Sequence, residues 1–187
     1  RYLMSTITVG TNVHERLPVI TNAAHCARAL SLYESGDIFF GIGRTEPWEN
    51  ENLEGFIPPS PDLDATTLDQ LIGMKKAERI SMVMPDPDGT IEYASIRFKT
   101  LTKEQALANK ARWVLIETRI GFEELPPVSY RQIGVFSRVT PKTGMEGKNV
   151  LLPAEIQDVG ILEVLNNRKV VTRQSDTKDR YFMIIEC

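Results

Sequence analysis

The chain has 187 residues, 42% of them hydrophobic and 25% charged, a balance ordinary for one globular domain or a core with an appended lobe. A chain of this size buries roughly two-thirds of the surface it exposes when unfolded, so neither a disulfide nor a metal is needed to hold it together. The net charge of −3 gives no electrostatic reason to expect nucleic acid, and no apolar run is long enough to cross a membrane.

The opening RYLMSTITVG lacks the apolar core of a signal peptide, and Arg1 in place of methionine implies that a residue or two precedes it. Cys26 and Cys187 stand far apart and fit neither a disulfide framework nor a zinc spacing, so free thiols formed in a reducing cytosol are expected. Residues 22–35 read as a helix: Ala23, Cys26, Ala27, Leu30 and Tyr33 or Glu34 recur at helical spacing. Thr21 or Asn22 suits the start, and Gly36 suits a left-handed end. DIFFGIGRT (37–45) reads as a strand whose glycines let another backbone approach closely. PWENENLEGFIPPSPDLD (47–64) carries four prolines, which remove amide donors and exclude a central strand or helix interior. Its Trp48, Leu53, Phe56 and Ile57 need cover, so an ordered loop pinned to a surface is expected.

A short helix over 66–73 and a strand near 77–84 follow, the latter with Glu78, Ile80, Met82 and Met84 on one face. DPDG (86–89) is a tight turn, 91–99 a strand, and Thr102 with Gln105 the capping box of a brief helix. RWVLIETRIGF (112–122) is a strand with Val114, Ile116, Ile120 and Phe122 on one face and Glu117 and Arg119 on the other. SYRQIGVFSRV (129–139) is another strand. GILEVLNNRKVVTRQSDTKDRYFMIIE (160–186) reads as a three-stranded meander with turns near Asn166-Asn167 and Ser175-Asp176. The expected fold is α+β and mainly β: sandwich-like antiparallel sheets, an N-terminal helix and one or two short helices. Residues 1–187 form one domain in this reading, with an extended proline-rich loop at about 46–64.

Groups that could converge for catalysis are scarce. There are two histidines, His14 and His25, and no Gly-x-Ser-x-Gly elbow. His25 and Cys26 are helix neighbours whose side chains diverge by about 100°. Gly41-Ile42-Gly43 precedes a proline-rich loop in place of the helix a dinucleotide site needs. Asp86 and Asp88 hint at a calcium loop, but Thr90 and Ile91 stand where further ligands belong. Glu46, Glu49, Glu51 and Glu54 offer an acid–base pair or a cation site, weighed against a solvated loop, and Trp48 offers a sugar platform. The expectation is no enzyme, no cofactor and no metal.

Charge is uneven. Nine acids face one base, Arg44, between Glu34 and Asp69, while nine bases face six acids between Ser129 and Arg180. Two such segments can steer docking or self-association, or can be two solvated surfaces. An aromatic-bearing loop among acids has the composition of an interface anchor with a polar rim, or of a cover for its own core. The candidate interface residues are Arg44, Pro47, Trp48, Phe56, Ile57, Pro58 and Pro59. In the interface reading, Trp48→Ala weakens assembly more than it unfolds the subunit, and Arg44 pairs with a carboxylate of the following loop.

IFFGIGRTEPWENENLEGFIPPSP (38–61) strongly resembles the T4-type baseplate wedge protein family of contractile-tailed bacteriophages, where the same elements follow an N-terminal helix. SYRQIGVFSRVTPK (129–142) and VGILEVLNNRKVVTRQSDTKDRYFMIIE (159–186) resemble its closing strands, in the same order. The chain departs in lacking that family's large insertion between the equivalents of residues 85 and 129. The resemblance implies a non-catalytic baseplate wedge subunit without cofactor, homodimeric and in contact with other wedge proteins. It also implies a virion component made in the host bacterial cytoplasm. The alternative is a carbohydrate- or receptor-binding tail module.

Overall fold

The computed structural model describes residues 16–176 and 178–187. Helix α1 spans Asn22–Glu34; the Thr21 hydroxyl accepts from the Ala24 amide, and Gly36, at φ 75°, takes the left-handed position past the end. Its buried face is Cys26, Ala29, Leu30 and Leu32, whereas Ala23 and Ala27 are exposed. The helix is therefore rotated from the face the sequence spacing suggests. Strand β1, Phe39–Gly43, is buried throughout.

The helix expected over 66–73 does not form. Arg44 donates its amide to the Asp69 carbonyl at 2.5 Å, Ile72 donates to Ile42, and Gln70 takes a left-handed φ of 45°. This backbone is bonded to the end of β1 instead of to itself, and Leu68 and Leu71 are drawn onto the sheet one at a time. Nor is 77–84 one strand. Strand β2 is Gly73–Lys76 and β3 is Arg79–Pro85. Between them the Ala77 amide donates to Ile38 and the Glu78 amide to Glu117, so two successive residues hand the chain from one sheet to the other.

The 91–99 strand is likewise two, β4 (Ile91–Tyr93) and β5 (Ile96–Leu101), joined at Ala94 and Ser95 with φ of 49° and 64°. Positive φ at both positions is the mirror-image hairpin turn, which matches the twist of its strands. Helix α2, Lys103–Asn109, has the expected capping box. Strand β6 is Trp113–Ile120 and β7 is Ser129–Ser137. Phe122 lies beyond the end of β6, half out in solvent beneath Lys178, and not on the core face. Two-residue strands β8 (Thr140–Pro141) and β9 (Val150–Leu151), then β10 (Ile156–Asp158), β11 (Ile161–Thr172) and β12 (Asp179–Glu186), complete the chain.

The expected three-stranded tail is two long strands. Asn166-Asn167 is not a turn; β11 runs through it, and among the described residues the turn of this tail is at 175–176. Moreover β11 and β12 belong to different sheets: one ordered β11-β7-β1-β2-β9, the other β12-β6-β3-β5-β4. The fold is α+β and mainly β, as expected. Ile38, Phe40, Ile42, Ile133 and Val135 from the first sheet meet Met82, Val114, Ile116 and Ile120 from the second, under α1 and α2. Tyr130 on β7 and Tyr181 on β12 join hydroxyls across this layer.

Each sheet also buries its other face. Phe39, Met74, Phe136 and Leu151 are covered by Leu68, Val139 and Ile156. On the second sheet Val83, Phe98 and Leu115 are buried beneath Tyr93 and Phe182, whose rings meet edge-on at 5.7 Å. Those rings come from the two outermost strands, four spacings or about 19 Å apart in a flat sheet. The sheet must therefore curl until its edges close over a second core.

Candidate protein interface at the proline-rich loop

The segment from Arg44 to Ile72 has neither helix nor regular strand, yet side chains fix it along its length. Arg44, in the left-handed region at φ 58°, closes its base. Its guanidinium pairs with Asp69 at 2.7 Å, donates to the Pro47 carbonyl at 3.4 Å and stacks 3.7 Å from the Trp48 ring centroid. The partner is thus Asp69, beyond the proline-rich stretch, and not an acid within it; Arg44 ties the two ends of the loop together. Gln70 Oε1 accepts from the amides of Thr45 and Glu46, at 3.1 and 3.2 Å. Close approach of the two ends requires glycine at 43: a Cβ there would lie 2.7 Å from Leu68 Cβ and 2.8 Å from the Asp69 carbonyl.

The middle of the loop is held by β7 and β11. Arg131 donates to both carboxylate oxygens of Glu51, with Nη2 at 2.7 Å, and its third nitrogen donates to the Thr45 carbonyl at 2.7 Å. Glu51 also accepts from the Trp48 amide at 3.2 Å. The Arg131 bonds hold the Glu51 carboxyl below the usual carboxylate range, and the same contact raises Arg131. Both side chains are largely buried, and a bidentate arginine–carboxylate pair in that setting fixes geometry more surely than it adds stability.

Opposite Arg131 the register of β11 shifts. Asn167 pairs with Gln132 and Val171 with Tyr130, so residues 168–170 face one residue of β7. The bulge frees the Arg168 carbonyl, which accepts from the Trp48 indole at 3.0 Å. Asn167 donates to the Pro59 carbonyl at 3.0 Å and accepts from Gln132, whose own carbonyl accepts the Asp69 amide at 2.8 Å. The Asn-Asn-Arg sequence that reads as a turn is this bulge and the loop's docking point.

The candidate residues fall into two groups. Arg44 and Trp48 are internal. The Trp48 ring is only 9% exposed, with Arg44 on it and its N–H spent on β11, so it covers its own chain and offers no open face to a sugar. Pro47, Ile57 and Pro59 are exposed, Phe56 and Pro58 half-buried, and Ile57 is 82% exposed. Arg44, Trp48, Phe56, Ile57 and Pro59 border a groove of about 370 Å³, with Glu49 and Asn50 at its rim. Leu53 and Leu63 add further exposed apolar side chains. In the DPDG turn, Asp86 accepts from the Asp88 amide and pairs with Lys99. Among the described residues no three His, Cys, Asp or Glu side chains converge as a metal set. Sequence reading passed over Arg131, Gln132 and Asn167. The signal was a charged residue inside an otherwise apolar strand, which needs a buried partner, in a chain whose proline-rich loop has acids to spare.

Residues 17–187 match the family model described as "Baseplate wedge 3 tail fiber network component". The chain belongs to this family. It is also similar to "Virion protein 3" of Enterococcus phage phiEF24C, with 32% identity over 179 residues covering 91% of this chain and 96% of that protein. As a baseplate wedge 3 component it has a structural role in a phage tail. The match spans the locked loop, Arg131 and the β11 bulge within one family segment.

Proposed function

We propose that the chain is a non-catalytic subunit of a contractile-tail baseplate wedge, made in the host cytoplasm, which holds neighbouring wedge proteins together and self-associates as a homodimer. The proline-rich loop is its contact element, through Pro47, Phe56, Ile57, Pro58 and Pro59, with Arg44 and Trp48 setting their positions. One observation carries this reading: a loop fixed at Arg44, Glu51, Trp48 and Pro59 still leaves Ile57, Leu53 and Leu63 in solvent among acids. Fixing a loop beforehand removes much of the ordering cost of association, and an apolar centre within a polar rim is how stable contacts exclude water.

The test is immunogold labelling of purified particles with antibody against this chain, together with assembly of the Ile57→Asp variant. Gold at the distal end of the tail and loss of incorporation of Ile57→Asp, with its melting temperature unchanged, are expected. Gold on fibre tips, or normal incorporation of the variant, would overturn the reading.

A further inference from the structure

Ahead of α1, Leu17, Pro18, Val19 and Ile20 lie in neither helix nor strand. Leu17, Val19 and Ile20 are 75%, 84% and 72% exposed. Isolated exposed aliphatic residues are common, but three within four residues form a continuous apolar arm. The surface also carries an open groove of about 480 Å³, lined by Leu125, Pro126, Pro127, Val150 and Leu152. Its rim carries Glu123, Glu124, Glu155 and Lys148. Lys75 neutralises Glu124 and Lys148 neutralises Glu155, both at 2.5 Å. Glu123 has no ion pair among the described residues, and the arm begins with the exposed base Arg16.

We infer that the Leu17–Ile20 arm of one copy seats in the Leu125–Leu152 groove of a second copy, with Arg16 against Glu123. This rests on the reading of the chain as a self-associating wedge subunit, and names the surface that does it. The arm does not occupy the groove of its own chain: Leu17, Val19 and Ile20 are exposed and none of them lines it. Helix α1, which carries the arm, is tied by Arg28 to Glu163 on β11, one edge of the first sheet. The groove is built on β9, the opposite edge, four strand spacings or about 19 Å away across that sheet. Two copies related by a twofold axis can each give an arm and receive one, which closes the assembly at a dimer. Four-residue arms cover less surface than the roughly 1,600 Å² of a standard interface. The isolated dimer is therefore weak, and it gains from the high effective concentration inside a baseplate.

The test uses the full chain with a benzophenone amino acid at position 20, mixed from ¹⁴N- and ¹⁵N-labelled preparations and irradiated at high concentration. Mixed-isotope adducts between position 20 and residues 123–127 or 148–152 are expected. In sedimentation equilibrium, Ile20→Asp and Leu152→Asp each weaken the dimer by about tenfold or more. Arg16→Glu weakens it, and Arg16→Glu with Glu123→Arg restores it. Adducts confined to one copy, adducts elsewhere, or no adducts would overturn the inference, as would a dimer indifferent to both Asp variants with their folds intact by circular dichroism. A dimer that forms by another surface removes this inference and leaves the wedge reading standing; absence of the chain from labelled baseplates removes the wedge reading itself.

Discussion

Replacing Trp48 separates the two things its side chain does. Trp48→Phe keeps most of the ring area and loses the indole bond to the Arg168 carbonyl, a net loss of about 1 kcal/mol. Trp48→Ala also removes a ring that is nine-tenths covered. Truncating a core tryptophan costs about 3–5 kcal/mol, and a surface loop that can relax falls at the lower end, about 3. For a chain of this size 1 kcal/mol is worth about 2–4 °C, so melting should fall by about 2–4 °C for Phe and 6–12 °C for Ala. Thermal unfolding followed by circular dichroism gives both values. Hydrogen exchange at the Thr45 and Glu46 amides, bonded to Gln70, reports whether the loop opens before the rest. An unchanged melting temperature and unchanged exchange in Trp48→Ala would refute the claim that this ring holds the loop. Equal losses for Phe and Ala would show that the hydrogen bond, and not burial, does the holding. Because the ring faces inward, a defect in Trp48→Ala assembly would be read as undocking of the loop and not as loss of a direct contact.

The Glu51 carboxyl is held below its ordinary value by Arg131, so its contribution is fully present above about pH 4.3 and is lost as pH falls through the lowered folded value. The protection factors of the loop amides, which remove the intrinsic pH dependence of exchange, should therefore fall in acid before the sheets melt, and Glu51→Gln should abolish that step; an acid profile identical in the variant would count against it. Gly43→Ala places a methyl against Leu68 and the Asp69 carbonyl and should destabilise by about 1–3 kcal/mol in urea titration; a neutral result would mean that the 68–69 segment can move aside. Burial pushes the Tyr130 phenol up to about 12, so the folded state holds a proton the unfolded chain releases near pH 10. Stability should fall as pH rises from about 10 toward 12, and absorbance titration of Tyr130→Phe should lack the late-ionising phenol; an unchanged late step would assign it to another tyrosine.

Elements fixed by local chemistry are readable in the sequence. The Thr21 cap, Gly36, the DPDG turn and the Thr102–Gln105 box each satisfy backbone groups with residues at hand. What could not be read depends on partners far along the chain. Thr66 and Thr67 look like helix caps, but the 68–72 backbone has a better offer from β1. Asn166-Asn167 has turn composition, and only the loop arriving from Trp48 and Pro59 makes it a bulge. In Ala94-Ser95 neither residue advertises positive φ, so the hairpin stayed hidden in what read as one strand. The candidate loop itself was legible because four prolines and unburied aromatics cannot be satisfied any other way; which of its residues face outward was not, since Trp48 and Ile57 have the same claim to burial until Arg168 takes one of them. The acidic and basic segments meet in part within the chain, at Glu51 and Arg131, which pattern alone left open.

Strand β11 is twelve residues long and, among the described residues, pairs on one side only, with β7. An unprotected edge of that length is a template on which any other extended chain can add itself. Here its centre is bent by the bulge, and a segment with four prolines lies against Asn167 and Arg168. Proline has no amide with which to continue a ladder. A subunit built this way is guarded against adding to itself strand to strand along β11. The loop proposed as the contact element thus also guards the one long edge it lies against.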